Sequence, residues 1–140
     1  MTKKIDYSLF KKALKNLELQ YENFKTLGKQ PVLIEEGIKE SVIQRFEIVC
    51  DLMWKILRKY LMQELGLLDI TSAPKPVLRE AFLNKLLPSD MSFWFDYIDV
   101  RNGTSHDYSG EKAQKAIELM DGFIKDAIKL YETMSGETWA

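Results

Sequence analysis

Ile38, Val42, Phe46, Val49, Met53, Leu57 and Tyr60 fall on one face of a helix, and Ile43, Cys50, Trp54 and Leu61 widen that face well beyond a single stripe. A segment this long and apolar, running from about Glu35 or Glu36 to Leu65, must be covered on more than one side. It is expected to be the central helix of the fold, with Trp54 among its buried side chains. Its polar positions are also ordered, since Gln44, Glu47, Asp51, Lys55 and Arg58 recur at spacings 3-4-4-3 along one narrow line. Two readings of that line stay open. It is either a solvated face, or a face on which Glu47 and Asp51 look across the bundle at the turn holding Arg101 and His106.

The other segments supply the cover. Phe10, Leu14, Leu17, Tyr21 and Phe24 repeat at 4-3-4-3 spacing within a first helix over residues 7 to 27, which Gly28 and Pro31 end. Gly66 stops the central helix, and residues 66 to 76 form an irregular segment stiffened by two prolines. Pro76 suits the first turn of a short helix, roughly Val77 to Leu87, closed by Pro88. Ser89 or Asp90 can cap a fourth helix that carries Met91, Trp94, Phe95 and Ile98 inward. Ser109 is the expected cap of a fifth, on which Ala113, Ile117, Met120, Ile124, Ala127, Tyr131 and Met134 keep near-heptad spacing. Nothing reads as a strand. The expected fold is all-α: one domain over residues 1–140, an up-and-down bundle of four long helices and one short one.

Composition narrows the function. Twenty basic residues against twenty-one acidic ones give a net charge of −1, whereas a generic nucleic-acid coating protein is strongly basic. Any RNA contact is therefore expected to be local. No apolar run reaches the length of a membrane span and the N-terminus has no signal-peptide core, so the expectation is a cytoplasmic protein with no membrane partner. One cysteine and one histidine do not make a zinc site, and no dinucleotide, P-loop or EF-hand fingerprint is present; neither metal nor cofactor is expected. Cys50, lying in an apolar helix, reads as a small buried side chain rather than a reactive thiol.

The chemistry concentrates in Arg101-Asn102-Gly103-Thr104-Ser105-His106-Asp107-Tyr108, which holds the only histidine. In an unbroken helix, residues five apart point roughly 140° from each other. Gly103 is expected to break the helix in the left-handed conformation and so bring the Arg101 guanidinium and the His106 imidazole to one site. Such a pair suits metal-free RNA cleavage by the 2′-hydroxyl. Arginine's forked donors stabilise the phosphorane, and histidine, with an unperturbed pKa of about 6.5, transfers protons near neutral pH. The reaction needs a base and an acid, and a symmetric dimer would provide a second histidine. The surplus of aromatic residues at Trp94, Phe95 and Tyr97 is the sequence's own hint of such an interface. The alternative is structural, with Asn102 and His106 capping loose carbonyls at a helix end. A Ser105-His106-Asp107 triad is excluded, because sequence neighbours lack triad geometry.

These residues resemble the HEPN superfamily (higher eukaryotes and prokaryotes nucleotide-binding), and within it the small nucleotidyltransferase substrate-binding proteins of bacteria and archaea. The resemblance covers nearly the whole chain. It is carried by Val42 to Glu47, Asp51 to Lys55, the Ala73-Pro74-Lys75 turn, and the Arg-x4-His-x-Tyr pattern from Arg101 to Tyr108. It implies that Arg101 and His106 are a ribonuclease pair and that Asn102 is the polar residue following the arginine. It implies a homodimer with both motifs in a cleft at the two-fold axis, and a minimal nucleotidyltransferase as partner. Tyr108 matches the tyrosine that this partner modifies with AMP. Glu47, Asp51 and Lys55 are the candidate nucleotide- or RNA-contacting positions on the central helix. Two functions stay open: a toxin-like, metal-independent endoribonuclease, or a non-catalytic subunit that binds a nucleotide or substrate for a separate transferase.

Overall fold

The computed structural model describes residues 4–104 and 110–140, and among these every regular element is a helix. The helices are α1 (Ser8–Thr26), α2 (Val32–Gln63), α3 (Pro74–Leu83), α4 (Met91–Gly103) and α5 (Gly110–Ser135). α2 packs against all four others, as its apolar girth requires. Val42, Ile43, Phe46, Val49, Cys50, Met53, Leu57 and Leu61 are all fully enclosed. The stripe of α1 is buried from Phe10 to Tyr21, and each of the seven expected positions of α5 is buried. Rings knit three helices together: Phe46 of α2 meets Phe123 of α5 at 4.8 Å, Phe123 meets Tyr97 of α4 at 5.1 Å, and Tyr97 meets Trp94 at 5.6 Å, each edge to face. Beyond α5 the chain folds back, with the Trp139 ring on Tyr131 and its indole N–H donating to Glu18.

Several boundaries differ from the sequence expectation, each for a local reason. α2 starts at Val32, one turn early, because the Pro31 carbonyl accepts from the Ile34 and Glu35 amides. The opening residues Val32, Leu33 and Ile34 are exposed, so amphipathic spacing could not reveal them. α3 runs from Pro74 to Leu83 rather than from Val77 to Leu87. Its end is a Schellman turn: Leu86 N–H donates to the Ala81 carbonyl and Lys85 N–H to that of Phe82, with Lys85 left-handed at φ 60°. A lysine in that role gives no sequence signal.

α4 departs most. Asp90 is its cap, its carboxylate accepting from Ser92, whereas Ser89 turns inward. Trp94 and Ile98 are buried as expected, but Tyr97 and Val100 join them while Met91 and Phe95 stay half-buried. Asp126 of α5 holds the Tyr97 hydroxyl. The Ser89 hydroxyl accepts from the Trp94 indole and donates to Asp126, and the same Asp126 oxygen takes the Tyr97 hydroxyl at 2.5 Å. Burial, then this hydrogen bond, pushes the Tyr97 phenol well above its usual pKa. Gly103 is not left-handed; helix α4 runs through it, and Thr104 ends it in a right-handed conformation. Among the described residues no helix is long and apolar enough to cross a membrane.

Trp54 is half-buried, not enclosed. Replacing a fully packed ring should therefore cost more. Phe46→Ala is expected to lose about 3–5 kcal/mol and Trp54→Ala clearly less, about 1–2 kcal/mol, in urea unfolding followed by circular dichroism. Equal losses would contradict the packing described.

Candidate functional site

The site is built where the last turn of α4 crosses the middle of α2. Arg101 projects toward α2, and its Nε and Nη2 donate to the two carboxylate oxygens of Asp51 at 3.1 and 3.0 Å, a fork-to-fork pair. Glu47, one turn before Asp51, brings Oε2 to 3.5 Å from Nη1 of the same guanidinium. Glu47 is 7% exposed, and a carboxylate that buried must be paired and hydrogen-bonded. Thr104 supplies the bond. Fully enclosed, its hydroxyl stands 3.0 Å from Glu47 Oε2 and 3.2 Å from the Arg101 carbonyl, and its one proton is best given to the charged acceptor.

The Asp51 hydrogen bond, helped by the Asp51 and Glu47 charges, outweighs burial and holds the Arg101 guanidinium above its already high pKa. It is charged at every pH at which RNA chemistry proceeds. Cys50 lies beside this cluster but inside the core. Burial, then the neighbouring Asp51 charge, pushes its thiol well above the usual range, so it is no nucleophile.

Of the residues singled out by sequence, the fold brings together Arg101, Asp51 and Glu47. Asn102 is adjacent and exposed, with interactions of its own. Lys55 stands apart: it is exposed, with its ammonium 5.8 Å from the Trp54 ring. Arg58, on the same polar line, clamps the Ile70 carbonyl through Nε and Nη2. The line thus divides, with two carboxylates turned to α4, one arginine to a loop, and Gln44 and Lys55 to solvent. His106, Tyr108 and the expected cap Ser109 lie outside the described residues. Thr104 is the residue that sequence reasoning missed. Its only cue is a hydroxyl three positions after an arginine at a helix end. Among the described residues, no three His, Cys, Asp or Glu side chains gather as metal ligands would.

The aromatic surplus offered as a dimer hint is largely used internally. Trp94 and Tyr97 belong to the core, and the half-buried Phe95 ring is flanked at 5.4 Å by Lys75 and by Arg79. Phe93, not one of the three, is the exposed aromatic of α4.

Removing Arg101 takes away the cation that faces both Glu47 and Asp51. Arg101→Ala is therefore expected to destabilise by about 1–2 kcal/mol, below the cost of breaking a fully buried pair because Asp51 is partly solvated. That differs from the small effect expected of an arginine simply facing solvent. A double-mutant cycle with Asp51→Ala, read in urea, should show coupling; additive losses would mean that the pair is not formed in solution.

The comparisons with known proteins agree with this architecture. A family model described as "Nucleotidyltransferase substrate binding protein like" matches residues 5–136. A Haemophilus influenzae protein named "Probable ribonuclease HepT" is 32% identical over 139 residues, covering 96% of this chain and 94% of the relative. A solved Haemophilus influenzae structure, described as revealing the fold of a substrate binding domain of a nucleotidyltransferase, superposes with a TM-score of 0.80 at 30% identity, covering 93% of this chain and 99% of that one. A Thermus thermophilus crystal structure shares the fold with a TM-score of 0.74 at 24% identity, over 89% of this chain and 98% of the other.

Proposed function

The chain belongs to the nucleotidyltransferase substrate binding protein like family, and from that premise we propose that it is the HEPN-type partner of a minimal nucleotidyltransferase and a toxin-like, metal-independent endoribonuclease of the cytoplasm. The observation that carries this reading is the anchoring of Arg101. Asp51 fixes the guanidinium plane in the last turn of α4, five residues before His106 in the sequence. An arginine held by a second-helix carboxylate loses little freedom on meeting a phosphate, which is what electrostatic preorganisation demands. The ribonuclease name of the Haemophilus relative supports it.

In the proposed reaction the RNA 2′-hydroxyl attacks the adjacent phosphorus and the bond to the 5′-oxygen breaks. The products are a 2′,3′-cyclic phosphate and a 5′-hydroxyl. One His106 accepts the 2′-hydroxyl proton, and His106 of a second copy protonates the leaving oxygen, so the site is complete in a homodimer. Arg101 donates to the phosphorane oxygens through the Nη1 and Nη2 hydrogens that Asp51 leaves, beside the Glu47 carboxylate. Asn102 adds a donor in this reading.

The second reading is the non-catalytic nucleotide- or substrate-binding subunit, and one observation favours it. Asp51 already occupies the Nε–Nη2 edge of the guanidinium, the edge on which a phosphate would be held by two parallel hydrogen bonds. Purified protein with a single-stranded RNA in excess chelator separates the two. Cleavage to cyclic-phosphate ends, lost by about 10²–10⁴-fold in His106→Ala and in Arg101→Ala, is the expected result. No cleavage by a protein that sediments as a dimer would establish the binding subunit instead.

Control by the partner gives a separate prediction. The Tyr108 phenol oxygen attacks the α-phosphorus of ATP on the nucleotidyltransferase, releasing pyrophosphate and the phenolic proton. The resulting AMP ester puts negative charge and bulk beside His106. Mass spectrometry after incubation with the transferase and ATP should find the adduct on Tyr108 and lose it in Tyr108→Phe. An adduct elsewhere only would overturn this mode of control.

A further inference from the structure

Thr104 is the residue of the Arg101 cluster to which the proposed reaction gives no task. It closes α4, its amide donating to the Val100 carbonyl at 3.1 Å, and its side chain is fully enclosed. A buried threonine keeps a fixed χ1, because exchanging its methyl group for its hydroxyl would repack the side chains around it. The hydroxyl therefore stays where the fold puts it, 3.0 Å from Glu47 Oε2.

The two carboxylates meet the guanidinium differently. Asp51 takes Nε and Nη2 at hydrogen-bond distances of 3.1 and 3.0 Å. Glu47 Oε2 stands 3.5 Å from Nη1, near enough for charge attraction. Among the described residues Nη1 makes no hydrogen bond, and it is not sealed from solvent. It carries two of the three guanidinium hydrogens that Asp51 leaves. A movement of about 0.6 Å would bring Oε2 to the roughly 2.9 Å of a charge-assisted hydrogen bond and engage that group. A carboxylate as buried as Glu47 needs donors, and the Thr104 hydroxyl supplies one from the enclosed side. Without it, Oε2 keeps its charge and its burial, and the donor within reach among the described residues is Nη1.

We propose that Thr104 is a positioning residue for Arg101: its hydroxyl holds Glu47 off Nη1 and so keeps that amino group available to a phosphate. This role rests on the reading that Arg101 meets a phosphate, which the ribonuclease and the binding subunit share. Asp51 and Glu47 then have separate tasks. Asp51 sets the plane of the guanidinium, and Glu47 adds attraction without taking its donors. Loss of the Thr104 hydroxyl turns Glu47 from a neighbour into a competitor, with Arg101 held by carboxylates on both sides. A threonine that only closed the helix would contribute stability and nothing to this competition. The two cases differ in one respect: only the competitor can be silenced by removing the charge of Glu47.

The test compares the full chain with Thr104→Val, Thr104→Ser and the double variant Thr104→Val/Glu47→Gln, all well below their melting temperatures. Binding is read with a 2′-O-methyl oligoribonucleotide, which its own 2′-hydroxyl cannot cut, and cleavage with the unmodified strand. Thr104→Val should bind about tenfold more weakly, the loss of one charge-assisted hydrogen bond, with kcat/KM falling alongside. Thr104→Ser, which keeps the hydroxyl, should recover the binding. Adding Glu47→Gln to Thr104→Val should also recover most of it, because the competing charge is gone. A crystal structure of Thr104→Val should show Glu47 within roughly 3 Å of Nη1. Thr104→Ala also lacks the hydroxyl and should give the same order, which keeps the test open if the valine variant does not fold. Unchanged binding in Thr104→Val, or a loss that Glu47→Gln does not recover, would overturn the role. A wild type that binds without cleaving, with the variants in the expected order, sinks the ribonuclease and sustains Thr104. Cleavage by the wild type with no difference among the variants does the reverse. A wild type that neither binds nor cleaves overturns both.

Discussion

Burial of α2 is the constraint on which the rest of the molecule depends. Between Val42 and Leu61 this helix carries apolar side chains over most of its girth and leaves only a narrow line for water. Four other helices must then find places around it, and their own stripes decide which side each covers. The polar line that remains is too narrow to stay wholly in solvent. Glu47 and Asp51 therefore fall beneath α4, where a carboxylate is tolerated only with a cation and a hydrogen-bond donor.

Arg101 and Thr104 meet that requirement, and their position depends on the opposite end of α4. The Trp94–Ser89–Asp126–Tyr97 network fixes the start of α4 against α5, and Tyr97 lies one turn before Arg101. The helix then continues through Gly103 instead of breaking there, which sets Thr104 over Glu47. The candidate site is thus held at both ends of a 13-residue helix by buried and half-buried polar groups, which reach α5 at one end and α2 at the other.

The same helix presents two different surfaces. One is the Arg101 cluster, rich in carboxylate and rigidly paired. The other faces α5, where the Tyr97 ring packs on Phe123 and its hydroxyl donates to Asp126.

By itself the sequence determined the all-α class, the central place of α2, the buried stripes of α1 and α5 and the inert Cys50. These follow from periodicity, which is a property of the chain's own spacing. It also marked Arg101, with Glu47 and Asp51 as candidate partners across the bundle. What only the tertiary structure decided was how those residues met. Arg101 and Asp51 are 50 positions apart, and no local pattern records which helix face will oppose which. The same holds for Thr104, whose role exists only because Glu47 is 57 residues away and needs a donor. Gly103 and Lys85 show the limit on the local side. Glycine permits a left-handed turn without requiring it, and Lys85 adopts one where the hydrogen bonds to Ala81 and Phe82 close α3. Long-range packing settles such choices, because its free energy exceeds the small backbone preference at a single residue.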